Sequence, residues 1–224
     1  VLERYLNKIL PELFQSFLTP LLCISTVSLV TLFVFGPIGA IIGDVLAIGY
    51  TALYEFSSPL AGFILGGLIQ PMVVFGIQWG LVLVALNNVT LTGFDSIIPV
   101  LAPAVFAQAG AGLAVFLKSK NPAFKAVCAP TVISAFFGVT EPVLFRVNVP
   151  RKRPFLFACI GGAVGGYLAG LSQIQTPAFV FPSVITLPVY YGDNFLLYLS
   201  GSLVGVLIGF FLTFFWGTSE EVEE

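Results

Sequence analysis

Five stretches of this chain are long and apolar enough to be membrane helices, and nothing else in the sequence restricts its fold so severely. A hydrocarbon core about 30 Å thick takes about 20 helical residues to cross. Residues 14–35, FQSFLTPLLCISTVSLVTLFVF, form an unbroken run, while residues 59–86 are apolar but punctuated by glycine and polar side chains. Residues 97–117, 154–171 and 195–216 complete the series. Only 9% of the 224 residues are charged and the mean hydropathy is +1.03, whereas a soluble domain is about 25% charged. A soluble core cannot hide that much apolar surface, but a lipid bilayer accepts it. The expected fold is an all-α polytopic membrane protein with about five transmembrane helices plus one or two re-entrant hairpins.

Several function classes fall away. The net charge of −2 and the lack of a basic stripe with interleaved aromatics leave no nucleic-acid partner. There is no histidine, and Cys23, Cys128 and Cys159 lie far apart in apolar runs, so no metal site or cofactor is expected and the cysteines read as small packing residues. The chain opens on VLERYLNKILPELF, which reads as an amphipathic cytoplasmic helix over residues 1–13 and not as a signal peptide. With Met72 as its only methionine, it reads as cut from something longer.

Lysine and arginine set the orientation. Arg4 and Lys8, then Lys118, Lys120 and Lys125, then Arg151, Lys152 and Arg153 form basic clusters expected on the cytoplasmic side, with an acidic cytoplasmic tail over 217–224. Residues 126–150 lie between two clusters that should share a side, so a single crossing does not fit there. A re-entrant hairpin does, with Gly138 and Pro142 breaking the helix around Glu141. Irregular backbone at membrane depth is tolerated where protein or a wet cavity satisfies it, and broken helices are where transporters hold solutes. Residues 59–90 form a second candidate hairpin, and 172–194, with three prolines, read as a loop. Gly161, Gly162, Gly165, Gly166 and Gly170 read as a close-packing face.

The residues that could carry chemistry follow. An acid inside a membrane segment is a functional candidate, and Glu141 is the foremost, as a hydrogen-bond acceptor for hydroxyls and as a catalytic base. Gln78 can donate to and accept from hydroxyls, and the indole face of Trp79 can stack on a pyranose ring. Thr140, Gln70 and Asn88 complete the candidate substrate-binding set. Arg146 reads as structural. Asp44, Glu55 and Asp95 fall near expected segment ends, where a solvated face is expected.

The stretch FFGVTEPVLFRVNVPRKRPFLFACIGGAVGG (136–166), with FGIQWGLVLVALNN, FAQAGAGLAVFLKSKN and LERYLNKILPELFQSFLTPLL, resembles the membrane C domain of phosphoenolpyruvate-dependent sugar phosphotransferase transporters, glucose superfamily, β-glucoside branch. The resemblance covers nearly the whole chain. It implies a multi-pass protein of the inner (cytoplasmic) membrane. Such a protein carries a sugar across by an elevator-like movement, for phosphorylation by the phosphocysteine of a phosphorylated B domain or subunit. It implies two re-entrant hairpins around the site, the motif glutamate at Glu141 beside Thr140, a β-glucoside or related sugar as substrate, and a homodimer in the full-length protein. The family pattern FGLHWGL has a histidine where this chain has Gln78, and often a glycine where it has Arg146. The chain carries neither a phosphocysteine motif nor a phosphohistidine, so phosphate must come from a partner. The alternatives are a sugar transporter or a membrane sugar sensor, both without phosphotransfer.

Overall fold

The structure, a computed structural model, describes residues 2–9 and 11–217. The expected acidic tail lies outside the described residues from position 218 onward. Ten α-helices are described, in the order α1 Leu2–Ile9, α2 Glu12–Val30, α3 Gly36–Phe56, α4 Ser58–Phe75, α5 Gln78–Thr92, α6 Ile97–Lys118, α7 Pro122–Phe136, α8 Glu141–Val143, α9 Arg153–Ser172 and α10 Phe195–Leu212. Among the described residues, five helical stretches are long and apolar enough to cross a membrane: 15–56, α4, α6, α9 and α10 continued to Gly217.

The first of these differs from the expected span. The helix does not stop at Phe35 but runs on as α3 to Phe56, giving a rod of 42 residues. At about 1.5 Å per residue it is about 63 Å long, roughly twice the hydrocarbon thickness. The sequence GPIG at 36–39 does not end it because a π turn over Thr31–Phe35 precedes the proline, the Gly36 N–H bonding back to the Thr31 carbonyl. The hydrogen-bond ladder thus slips by one residue just before Pro37, where a donor is missing anyway. The same device recurs at Leu144–Asn148, where Val149 N–H donates to the Leu144 carbonyl at 2.8 Å immediately before Pro150.

Helix α6 is the centre of the bundle. Most of its side chains are buried, Gln108 completely. Helices α4, α9 and α10 pack on it, and α9 also packs on α4 and on α10, through faces without side chains. A β-carbon on Gly165 would meet the Gly201 carbonyl oxygen at 2.5 Å and Pro103 Cβ at 2.6 Å, and one on Gly161 would meet the Gly205 carbonyl at 2.7 Å. Gly62 and Gly66 of α4 lie equally close to Gly166 and Gly162 of α9. Lipid gives helices no hydrophobic reason to associate, so close backbone contact supplies the attraction. The glycines of α9 are packing residues, as expected from the sequence.

These contacts set the direction of every element. Helix α4 is antiparallel to α9, with Ser58 against Gly170 and Gly66 against Gly162. The Ser58, Asp95 and Thr176 end of the bundle is therefore opposite the end holding the later basic residues. There Arg153 Nη1 donates to the Trp216 carbonyl at 3.0 Å, and Arg151 lies 4.1 Å over the Phe124 ring. Helices α4 and α5 form a helical hairpin rooted at the first end. Helix α7 with α8 and its π turn forms another rooted at the basic end.

Candidate functional site

Each hairpin turns at a glycine in the left-handed region. Gly76, at φ 76°, receives the end of α4, its N–H bonding to the Val73 carbonyl at 3.1 Å. Gly138, at φ 91°, closes α7. A β-carbon there would lie 2.8 Å from the Pro182 carbonyl oxygen, so position 138 requires glycine for its backbone angle and for its space. Chain 137–140 is non-helical, and Glu141 begins the next helical turn with Pro142 behind it. The break expected at GVTEP is present.

The tips of the two hairpins meet. Gln78 and Trp79 from one, and Gly138 to Glu141 from the other, line a single cavity of about 310 Å³, with Ile98, Leu101 and Val105 of α6 as its wall. That volume lies at the lower edge of the range for small-ligand sites, about 300–1,000 Å³. Its polar groups are few and come from both tips, Gln78 from one and Thr140 and Glu141 from the other. The Gln78 side-chain oxygen is buried with no protein partner. Among the described residues, the exposed Glu141 carboxylate makes no hydrogen bond or ion pair, and it is the one ionisable group in the lining. The rest of the wall is aliphatic and aromatic. Such a site offers acceptors and an amide to hydroxyls and apolar faces elsewhere.

Two wall residues come from a segment that the sequence marks only as a loop. Phe181 and Pro182 come from the loop after α9 and close the cavity over the second tip. Val184 N–H donates to the Phe136 carbonyl at 3.0 Å, and the Phe181 ring stands edge-on to Trp79 at 6.4 Å and 82°. No local motif marks them, because only the return of that loop onto α7 brings them there.

Two other candidate residues lie elsewhere. Gln70 is buried between helices, its Nε2 donating to the Ala104 carbonyl at 2.8 Å, and it ties α4 to α6 outside the cavity lining. Asn88 is near the opposite end of α5, where its Nδ2 donates to Asp95 Oδ1 at 3.0 Å. Asp95 itself corrects the expectation of a solvated side chain. It is 1% exposed, accepts the Ile98 N–H on Oδ2 at 2.8 Å, and exchanges two backbone bonds with Thr176. The carboxylate satisfies an otherwise orphaned donor at the start of α6 and favours the positive end of that helix. Glu55 and Asp44 are exposed, the latter in the middle of α3.

A polytopic helical membrane protein with a cavity between two oppositely rooted broken hairpins is thus the class that fold and site define. The family described as "Phosphotransferase system, EIIC" matches residues 1–162, and the chain belongs to it. It is accordingly a multi-pass component of the cell membrane. It is 40% identical to a PTS system beta-glucoside-specific EIIBCA component of Dickeya chrysanthemi over 83% of this chain and 29% of that protein. It is 41% identical to the protein of the same description from Halalkalibacterium halodurans, over 77% of this chain and 27% of that one. A PTS system sucrose-specific EIIBC component of Bacillus subtilis is 29% identical over 99% of this chain and 49% of its own length. The chain therefore spans less than half the length of these relatives. No solved structure matches it.

Proposed function

We propose that this chain is the sugar-holding part of a phosphotransferase-system permease, which takes up a β-glucoside or related sugar and presents it for phosphorylation. The observation that carries the reading is the convergence of Gln78, Trp79, Thr140 and Glu141, from hairpins rooted at opposite ends, on one cavity. The relatives' names support the sugar class, and two of them are named as joining further EIIB and EIIA parts to the EIIC part.

The chemistry follows from the lining. Sugar hydroxyls hydrogen-bond to the Gln78 amide and the Glu141 carboxylate, while Trp79 offers an aromatic face to the ring. A hydroxyl oxygen of the bound sugar attacks the phosphorus of a partner phosphocysteine. The new O–P bond forms as the S–P bond breaks, the cysteine leaves as thiolate, and Glu141 accepts the hydroxyl proton. The basic end carrying Lys118, Lys125, Arg151 and Arg153 suits approach of the anionic phospho-donor. The full-length protein works as a homodimer in the cytoplasmic membrane.

A second reading rests on Gln78. Glutamine binds a hydroxyl but takes no proton, so Glu141 must be the sole base in the cavity, and a transporter or sensor without phosphotransfer needs no base at all. Membrane vesicles containing the full-length protein, supplied with phosphoenolpyruvate and the general relay proteins, decide between them. Appearance of sugar phosphate inside is expected. Accumulation of unmodified sugar favours the transporter of the second reading, binding without uptake favours the sensor, and neither uptake nor binding of any β-glucoside overturns both.

A further inference from the structure

At the end of the bundle away from the basic residues lies a second cavity, of about 470 Å³, separate from the one between the hairpin tips. Tyr50, Tyr54 and Glu55 of α3, Asn88 of α5, Ser96 ahead of α6, and Gln175 line it. It is built rather than incidental. The buried Asp95 holds three of its segments at once, through Asn88 Nδ2, the Ile98 N–H and both backbone bonds to Thr176 beside Gln175. The hydroxyl of Tyr50 donates to Ser96 Oγ at 3.1 Å, joining α3 to the same cluster, and its ring leans on Tyr54 at 5.4 Å.

What remains free for a ligand is specific in kind. The Glu55 carboxylate has no partner among the described residues. Asn88 spends its amide N–H on Asp95 and keeps its side-chain oxygen. Among the described residues no lysine or arginine lines the cavity, so a phosphate or carboxylate would meet the Glu55 carboxylate without a cation to pair with. Aromatic faces beside a carboxylate and neutral amides suit an uncharged ring that is apolar above and below and hydroxylated at its edge.

We propose that this cavity is a second carbohydrate site, which holds a glycoside at the end of the bundle opposite the phosphorylation face. The proposal rests on the sugar-uptake reading only in supposing that the protein meets sugars. It gives Asn88 a sugar-facing place apart from the cavity of Gln78 and Glu141.

The test is equilibrium dialysis of phenyl β-D-glucoside against the full-length protein in lipid nanodiscs, with wild type, Glu141→Gln, Tyr54→Ala and Glu55→Gln in parallel. Two sites per chain are expected. Tyr54→Ala and Glu55→Gln should each weaken one of them by roughly tenfold, the loss of about one hydrogen bond to a charged group or of a ring contact. The other site, retained in the same sample, reports that the protein is folded. Glu141→Gln should weaken only the other site. A single site, sensitive to Glu141→Gln and indifferent to Glu55→Gln, overturns the second site and leaves the proposed function standing. Two sites, one sensitive to Glu55→Gln and neither to Glu141→Gln, uphold the second site and remove Glu141 from the first. No binding at millimolar glucoside overturns the second site. Should Tyr54→Ala abolish both sites, Glu55→Gln decides alone, and an unchanged pair of sites in that variant counts against the proposal.

Discussion

The Pro182 carbonyl oxygen faces Gly138 so closely that a β-carbon there would sit 2.8 Å away, while the Gly138 backbone holds φ 91°. Gly76, at the other tip, has φ 76° but nothing within 4 Å of where a β-carbon would go. The two positions separate backbone strain from crowding. Gly76→Ala should cost about 1–2 kcal/mol from its left-handed angle alone. Gly138→Ala should cost roughly 1–3 kcal/mol more, from the crowding against Pro182, and should also weaken sugar binding by displacing Pro182 from the cavity. Thermal unfolding in detergent, with glucoside binding on the same samples, checks both, and equal losses would mean that the Pro182 contact is immaterial.

Glu141→Gln should reduce sugar phosphorylation by roughly a hundredfold or more, the usual contribution of a positioned base, while the protein still inserts and its helices still pack. Initial rates in the reconstituted vesicles measure it. Undiminished turnover would take Glu141 out of the chemistry.

Gln78→His restores the residue of the pattern FGLHWGL in the same cavity wall, with a ring that both hydrogen-bonds and accepts a proton. Phosphorylation should be retained or improved. Its complete loss, with sugar binding intact, would show that the amide has its own adapted role.

Asp95→Ala should destabilise the protein by about 1–3 kcal/mol, because the Ile98 N–H and the Asn88 amide lose a buried acceptor. Hydrogen exchange at the Ile98 and Thr176 amides should rise first. Protection equal to wild type at both would deny Asp95 its fastening role.

Gly165→Leu should prevent α9 from closing on α6 and α10, because the side chain must enter space held by the Gly201 carbonyl and Pro103. Gly49→Leu on α3, with nothing within 4 Å, should express and fold as wild type. Yield of monodisperse protein compares them.

Much of this is legible in the amino-acid sequence. The break at Gly138 was readable because two helix-hostile residues flank an acid between basic clusters that must share a side. The packing role of the α9 glycines was readable because lipid leaves few other uses for five of them in one helix. Position 35 misled because glycine and proline ordinarily end a helix, whereas here a π turn absorbs the missing donor. Asp95 misled because a charge near a segment end is ordinarily solvated, and no local signal shows that Thr176 returns to cover it. Phe181 and Pro182 were invisible for the same reason. Gln70 and Asn88 are polar residues in an interrupted apolar run, and sequence alone does not say which of several neighbours such an amide will find.

The opposite rooting of the two hairpins has a mechanical consequence. Each tip is anchored at a different end of the bundle, so on the proposed function a guest held by Gln78 on one side and Glu141 on the other would act as a strut between them. The tips are already joined through the loop after α9, by the Phe181–Trp79 contact on one and the Val184–Phe136 bond on the other, and the strut would add a second, direct link. Cargo would then double as coupling, and an empty cavity would leave the loop to carry it alone.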